Sequence, residues 1–144
     1  MIHTPAEILR RLLVEQGLIS DPEDDLASWP ATISLLTAVQ DKTVALYDTD
    51  PLELGRSLDG TFHHMPGFQI TVRTGPEGYA EGWEKVQELY GYLTGASPVS
   101  VNFPDESYYI YSILAEPPRS MGREPGNRRC LFSCNGSAHI TIES

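Results

Sequence analysis

The sequence predicts an α+β domain, in which a mostly antiparallel sheet of about four to five strands carries two main helices on one face. Two segments, near residues 5–16 and 74–95, begin with a helix-capping pattern and continue with apolar residues at helical spacing. The other apolar segments are short, β-prone and mostly consecutive, as in an antiparallel sheet. The 144 residues, 40% of them hydrophobic, suffice for one domain over 1–144 with its own core.

The first helix is predicted over about residues 5–16. Thr4 and Glu7 form a capping box around Pro5, whose missing N–H costs nothing in the first turn. Gly17 is a natural left-handed terminator at the other end. One face of this helix carries the apolar residues that we expect in the core, which are Ile8, Leu9, Leu12 and Leu13.

The next part of the chain predicts two short elements and a long loop. Residues 31–36 fit either a strand or a helical turn, and residues 43–47 are typical of a buried strand. Residues 48–60 contain a proline and two glycines and are predicted to form a long loop. Long ordered loops in compact domains are often functional.

The clearest strand spans residues 68–73 and follows a turn at Pro66-Gly67. Its apolar residues alternate with polar ones, which predicts one buried face and one wet or partner-facing face. The polar residues on that second face are Gln69, Thr71 and Arg73.

The second helix is predicted to begin with a capping box from Thr74 to Glu77 and to end at Gly95. Its apolar stripe indicates core packing rather than a cofactor site, and consists of Tyr79, Trp83, Val86, Tyr90 and Leu93.

The last third of the chain predicts further strands. Residues 108–115 indicate a strand that is apolar on both faces and ends at Pro117-Pro118. Residues 119–126 are predicted to be a polar loop. A closing strand follows over residues 129–133 and 138–142, with an interruption or bulge at Asn135-Gly136.

The charge balance excludes some classes of function. Asp and Glu total 20 against 10 Lys and Arg, which gives a net charge of −10 at pH 7. Binding along a nucleic-acid backbone requires a basic surface, so the sequence argues against a DNA-binding protein. No apolar run approaches the roughly 20 residues of a membrane-spanning helix. The N-terminal residues lack the basic and apolar regions of a signal peptide, so none is expected.

No motif points to catalysis, a metal or a cofactor. His63 and His64 are adjacent, so on a strand they point to opposite faces and cannot readily share a metal. Cys130 and Cys134 lie about 13 Å apart in an extended chain, which is too far for a disulfide. We expect two free thiols that behave as small apolar residues. Serine-elbow, dinucleotide and P-loop motifs are absent, so we expect a protein that is not an enzyme.

Four of the ten basic residues fall close together, at Arg119, Arg123, Arg128 and Arg129. One interpretation is a solvated hairpin loop. The other is a basic prong that docks on an acidic surface of the next copy or of a partner, where such charges mainly set encounter rate and register.

Three consecutive segments resemble one known family. They are Y-D-T-D-P-L-E-L-G-R-S-L-D-G (47–60), H-H-M-P-G-F-Q-I-T-V-R (63–73) and the Gly-Tyr-x-x-Gly-Trp-x-Lys helix (78–85). In order and spacing they are similar to the minor capsid or tail terminator proteins of long-tailed bacteriophages. The segments H-T-P-A-E-I-L-R-R-L-L, Y-Y-I-Y and L-F-S-C-N lie where that family has its first helix and last strands. The basic cluster and the two cysteines are not part of the resemblance.

The resemblance implies a structural virion protein without catalysis. Tail terminators form a ring, usually of six copies, on the head-proximal end of the tail tube, where they stop its growth and join it to head-completion or connector proteins. The implied partners are other copies of the chain, the tail tube protein and a head-completion protein. DNA would pass through the lumen without sequence-specific binding, and no membrane is involved. The implied location is the neck or tail of the virion, after synthesis in the host cytoplasm.

A closed ring requires two different patches on each subunit that meet each other. We expect them on the wet face of the 68–73 strand, in the loop after Tyr47 and in the basic cluster. The candidate interface residues are Asp48, Asp50, Glu53, Arg56, Asp59, Gln69, Thr71, Arg73, Arg119, Arg123, Arg128 and Arg129. Alternatives are another neck or tail component, such as a head-completion protein or tail-tube subunit, a small soluble ligand-binding domain or enzyme, and an acidic inhibitor.

Overall fold

A computed structural model describes residues 2–23, 28–36, 40–56 and 62–143, with the backbone alone for 50–56 and 62–64. Within these ranges the chain forms two helices and seven strands. In chain order they are α1 (Pro5–Glu15), β1 (Ala31–Ile33), β2 (Thr43–Arg56), β3 (Phe62–Thr74), α2 (Tyr79–Gly95), β4 (Val99–Asn102), β5 (Ser107–Ala115), β6 (Arg119–Arg123) and β7 (Cys130–Ile142).

The strands form one sheet in the order β1-β2-β3-β7-β5-β4, and β6 pairs with β7 beside the end of β5. All described pairs are antiparallel except β1 with β2, which is parallel. The predicted α+β class with two helices is confirmed. The predicted four to five strands were too few. Residues 99–102 and 119–123 resemble loops in the sequence, but they pair into the sheet as β4 and β6.

Helix α1 matches its prediction closely. The Thr4 hydroxyl accepts a hydrogen bond from the Glu7 N–H at 3.2 Å, and Gly17 takes the left-handed conformation with φ +75°. A second acceptor comes from the sheet, because Asp48 Oδ1 receives the Ala6 N–H at 2.8 Å. Asp48 therefore links the positive end of α1 to strand β2.

Helix α2 differs from its prediction at its start and on its buried face. Thr74 does not cap it; its hydroxyl donates to the Gly78 carbonyl at 2.9 Å, and the helix begins at Tyr79. Tyr79 and Trp83 are partly exposed rather than in the core. The buried stripe is rotated around the helix and consists of Gly82, Val86, Leu89 and Leu93. The reason is a close approach at Gly82, whose missing side chain lets the helix lie directly on the β7 side chain of Phe132.

The predicted loop over residues 48–60 was wrong for residues 48–56, and the turn at Pro66-Gly67 was also wrong. Strands β2 and β3 form one long hairpin that pairs from Thr43↔Arg73 to Arg56↔Phe62, and residues 57–61 lie outside the described residues. The register shifts after Thr49 and after Glu53. Such irregularities let a hairpin accept proline and glycine without ending.

The predicted loop over residues 119–126 was wrong in its first half, which is strand β6. The predicted interruption at Asn135-Gly136 was wrong as well, because β7 is continuous from Cys130 to Ile142. The shift in the β5–β7 pairing lies on β5, after Ile110. Strand β7 stays continuous because it has partners on both edges, β3 on one side and β5 and β6 on the other.

The core lies between the two helices and one face of the sheet. Aligned rows of the three central strands supply it, such as Val44, Val72 and Phe132. Leu46, Ile70 and Cys134 form the next row, and all six side chains are fully buried. The core therefore fixes the register of β2, β3 and β7. The other face of these strands points away from the two helices.

Candidate subunit interface

The opposite face of the central strands was predicted to be wet or to face a partner, but Arg73 and Thr71 are covered within the subunit. Arg73 is only 2% exposed and Thr71 only 7% exposed. The segment at Gln40 and Asp41 and the β6–β7 hairpin cover Arg73. Alternation in the sequence identifies the face of a residue, but it does not show whether a distant segment covers that face.

Arg73 is the centre of a buried polar cluster. Its guanidinium donates to the carbonyls of Gln40 and of Asp41, the latter at 3.3 Å, and lies 3.9 Å from the Glu124 carboxylate. Arg129 joins the cluster through Asp41, with 2.9 Å from Nε to Oδ1. Burial lowers the pKa of Arg73, and the charge of Arg129 adds to this, whereas Glu124, Asp41 and Tyr47 oppose it. The cluster joins β3, residues 40–41 and the β6–β7 hairpin. Arg73 and Arg129 therefore stabilise the fold of the subunit itself.

The other predicted residues of this face are placed differently. Gln69 is half-buried and its amide donates to the Thr71 hydroxyl at 3.2 Å. Asp48 is exposed, although one of its oxygens is bound to α1. The side chains of Asp50, Glu53 and Arg56 and the whole of Asp59 lie outside the described residues. Their place at an interface stays a prediction.

The basic cluster is split between two roles. Arg123 donates to the carbonyls of Pro76 at 2.8 Å and of Arg128 at 2.9 Å, which holds the β6–β7 hairpin against the start of α2. Arg129 is bound to Asp41. Arg119 and Arg128 are both exposed. These two guanidinium groups are the part of the cluster best placed to meet another molecule.

Two open strand edges were missed by the sequence reasoning. Strand β6 pairs only with β7 among the described strands, and all five of its residues are exposed. Strand β2 pairs with β1 at Val44, Ala45 and Leu46, and beyond that point it has β3 as its one described neighbour. The signal for β6 was present: residues 119–123 lie between prolines and the Gly126 turn, a pattern typical of a hairpin strand.

One groove of the described surface is poor in titratable side chains, whereas a second, of about 440 Å³ beside α1, is lined by several, including Glu7, Arg10 and Glu15. The first groove, of about 520 Å³, lies where β3, β5 and β7 meet, and Glu116 is the one titratable residue among the described residues that line it. The described residues contain no group of three or more metal-ligating side chains. Within the same residues, no helix has the length and hydropathy needed to cross a membrane.

The two cysteines are free and buried, as predicted. Burial raises the pKa of the Cys134 thiol to about 11, and the nearby Glu116 carboxylate adds to the shift. The Cys134 Sγ donates to the Glu116 carbonyl at 3.5 Å. A thiol that keeps its proton in this way is a poor nucleophile at neutral pH, since the thiolate is the reactive form.

Comparisons with known proteins show a likeness in structure. A scan against protein-family profiles and a search of curated proteins find no match. A solved structure with a similar fold is described as the virion of a native gene transfer agent particle. Its chain aligns with a TM-score of 0.53 and 12% identity, over 79% of this chain and 78% of that chain. At this identity the likeness shows a common fold for most of both chains.

Proposed function

We propose that this protein is a structural component of a phage-like virion, and that it acts as a tail terminator. In this role a ring of six copies closes the head-proximal end of the tail tube and joins it to head-completion or connector proteins. DNA passes through its lumen without sequence-specific binding. The protein is made in the host cytoplasm, resides in the neck or tail, and performs no catalysis.

The observation that carries the proposal is the fold shared with a chain of a gene transfer agent virion over nearly four-fifths of both chains. The resemblance of residues 47–85 to tail terminators is independent of the fold likeness, since it rests on the order and spacing of sequence segments. The two agree on a virion component. The finer assignment to the terminator position rests on the sequence segments.

The surface chemistry is consistent with an assembly role. The net charge of −10 would repel DNA from an acidic lumen, so that DNA could slide past rather than bind. The two open edges, β6 and the end of β2, lie on opposite sides of the sheet, as a head-to-tail contact requires.

A second candidate is another neck or tail component, either a head-completion protein or a tail-tube subunit. The fold likeness favours it equally, because the matched description names the particle and not a position within it. The two candidates differ in how they polymerise. A tube subunit forms long tubes, whereas a terminator stops at a single ring.

The test is electron microscopy of the purified protein, first alone at high concentration and then mixed with tail tubes. The proposal expects closed rings, or added density at one end of each tube. Long tubes would favour the tube subunit instead. Monomers that leave tube ends unchanged would contradict both virion roles.

A further inference from the structure

The hairpin of β2 and β3 extends beyond the rest of the sheet. Strand β3 pairs with β7 only from Gly67 to Thr74, whereas its pairing with β2 continues as far as Arg56↔Phe62. The outer part of the hairpin is thus a two-stranded arm, which we define by its β2 residues, Thr49–Arg56. A two-stranded ribbon is only marginally stable in water and is stabilised by a third strand.

The arm and β6 are both incomplete as sheet elements. Among the described residues, nothing pairs with the outer edge of β2 in the arm or with the outer edge of β6. Unpaired N–H and C=O groups along a strand edge are a template for another strand. Each element could supply the partner that the other lacks, but only between two copies, because β3 and β7 separate them within one chain.

We propose that β6 of one copy pairs as an antiparallel strand with the β2 arm of the next copy. This inference rests on the proposed ring and names the contact that closes it. The sheet of one subunit then continues into the next one, and the backbone hydrogen bonds supply much of the contact.

Strand direction supports the pairing. Each strand in the series β2, β3, β7 and β6 is antiparallel to the one before, so β6 runs opposite to β2 of its own copy. In a ring every copy has the same orientation relative to the axis, so β2 of the next copy also runs opposite to β6. The contact is therefore antiparallel, which is the more stable type of pair.

The charges of the two edges are complementary. Strand β6 begins with the exposed Arg119 and ends with Arg123, whose Nη1 is bound to carbonyls of its own subunit. The arm contains Asp50 and Glu53. If Arg123 is paired with Asp50 of the next copy, Arg119 is level with Glu53, because the irregularity between Ser120 and Gly122 leaves the two arginines only three positions apart along a neighbouring strand. Opposite charges across a strand pair are favourable, and like charges are unfavourable.

The pairing also fixes the tilt of the sheet in the ring. Strand β6 lies level with residues near 44 of β2 in its own copy. Arg119 is opposite Ser133 of β7, which is opposite Thr71 of β3, and Thr71 in turn is opposite Ala45 of β2. Reaching residue 52 of the next copy needs a shift of about eight residues, or ~26 Å, across about four strand spacings of ~4.8 Å. The strands would then be inclined by roughly 50° to the ring axis, slightly steeper than the ~35–45° of closed barrels.

Cysteine cross-linking tests this contact directly. One variant carries both Met121→Cys and Leu52→Cys, and the matched control carries Met121→Cys and Ser100→Cys, with the second cysteine on the opposite edge strand β4. Rings, formed alone or on tail tubes, are oxidised and separated on a denaturing gel without reductant. The native Cys130 and Cys134 are buried, so we expect them to contribute little cross-linking. Variants that carry only one of the introduced cysteines measure this background.

The expected result is a ladder from dimers up to the ring size for the first variant and none for the control. A ladder requires a head-to-tail contact, whereas a symmetric contact gives dimers only. Rings that form normally but cross-link in neither variant, or equally in both, would overturn the strand pairing and leave the ring intact. If light scattering and microscopy show no ring in the wild type, the inference fails together with the proposed function.

Charge reversal gives a second readout that does not depend on cysteine placement. Arg119→Glu should weaken ring formation at 0.1 M salt, and adding Glu53→Arg should restore it. Arg11→Glu on helix α1, outside both strands of the proposed contact, is the matched control and should have no effect on ring formation. If Arg119→Glu forms rings as well as the wild type does, the charge part of the proposed contact is wrong.

Discussion

The close approach of α2 to the sheet gives a prediction whose sign depends on position. Gly82 and Gly91 both lie in α2, and each can be replaced by alanine. At Gly82 an added Cβ would lie 2.9 Å from Phe132 Cδ2 and 3.0 Å from Thr74 Cγ2, and closer still to Phe132 Cε2. At Gly91 it would meet nothing within 4 Å.

The two substitutions should therefore change stability in opposite directions. Alanine in a helix is favoured over glycine by about 0.8–1.0 kcal/mol, so Gly91→Ala should stabilise the protein by about that amount. Gly82→Ala gains the same propensity but overpacks the core, which costs about 1–3 kcal/mol. Because the added Cβ would overlap the Phe132 ring, we expect an overpacking cost in the upper part of this range, about 2–3 kcal/mol. The net loss at Gly82 is then roughly 1–2 kcal/mol.

Urea unfolding followed by circular dichroism measures both changes, and the difference between the variants isolates the steric term. In thermal unfolding, each kcal/mol of change in stability should shift Tm by about 2–4 °C for a chain of this size. Adding Phe132→Leu to Gly82→Ala should recover part of the loss, because it removes the ring that the new methyl group meets. Equal stabilisation by both alanines would refute the close contact between α2 and β7.

Three further predictions concern the core, the Arg73 cluster and the buried thiol. Phe68→Ala should lower the free energy of unfolding by about 3–5 kcal/mol, because Phe68 is fully buried; a loss below about 1 kcal/mol in urea unfolding would contradict its place in the core. Arg73→Met should lower the free energy of unfolding by about 3 kcal/mol or more, since it leaves Glu124 and two backbone carbonyls without their partner. An unchanged midpoint of urea unfolding would mean that the cluster contributes nothing to stability. Cys134 keeps its proton in the folded state until about pH 11, so the rate at which the native protein is alkylated at this thiol should keep rising through pH 10. Mass spectrometry of peptides measures this rate, and a plateau near pH 9 would contradict the prediction. Because the unfolded chain loses this proton earlier, folding stability should fall as pH rises from about 9 to 11, and Cys134→Ala should remove that part of the fall.

Local signals in the sequence were enough for some elements of the fold. Helix α1 was predicted correctly at both ends because its cap, its periodicity and Gly17 all lie within the helix or next to it. The buried strand at residues 43–47 and the strand after residue 106 were found for the same reason. These signals need no knowledge of what lies across the sheet.

The errors arose where distant segments decide the outcome. The stripe of α2 was misplaced because Phe132, fifty residues after Gly82, determines which helix face can approach the sheet. Arg73 was expected on a wet or partner-facing surface because nothing in its own strand reveals that Gln40 and Glu124 cover it. The hairpin after Asp48 was read as a loop because bulges, which depend on pairing with β3, accommodate its proline.

The candidate interface was predicted less completely than the fold. The basic cluster was recognised as a possible docking element, but the guanidinium groups of Arg123 and Arg129 are bound within the subunit, to the Pro76 and Arg128 carbonyls and to Asp41. The open edges of β6 and β2 depend on which strands pair, and they become visible only in the assembled sheet.

The central claim is that the chain caps tail tubes as a ring. The most direct measurement is electron microscopy of the wild-type protein mixed with purified tail tubes, with the tube ends averaged separately. The account predicts a single ring of added density at one end of each tube and no further growth from that end. Tube ends that stay bare at saturating protein, or tubes that lengthen, would contradict it.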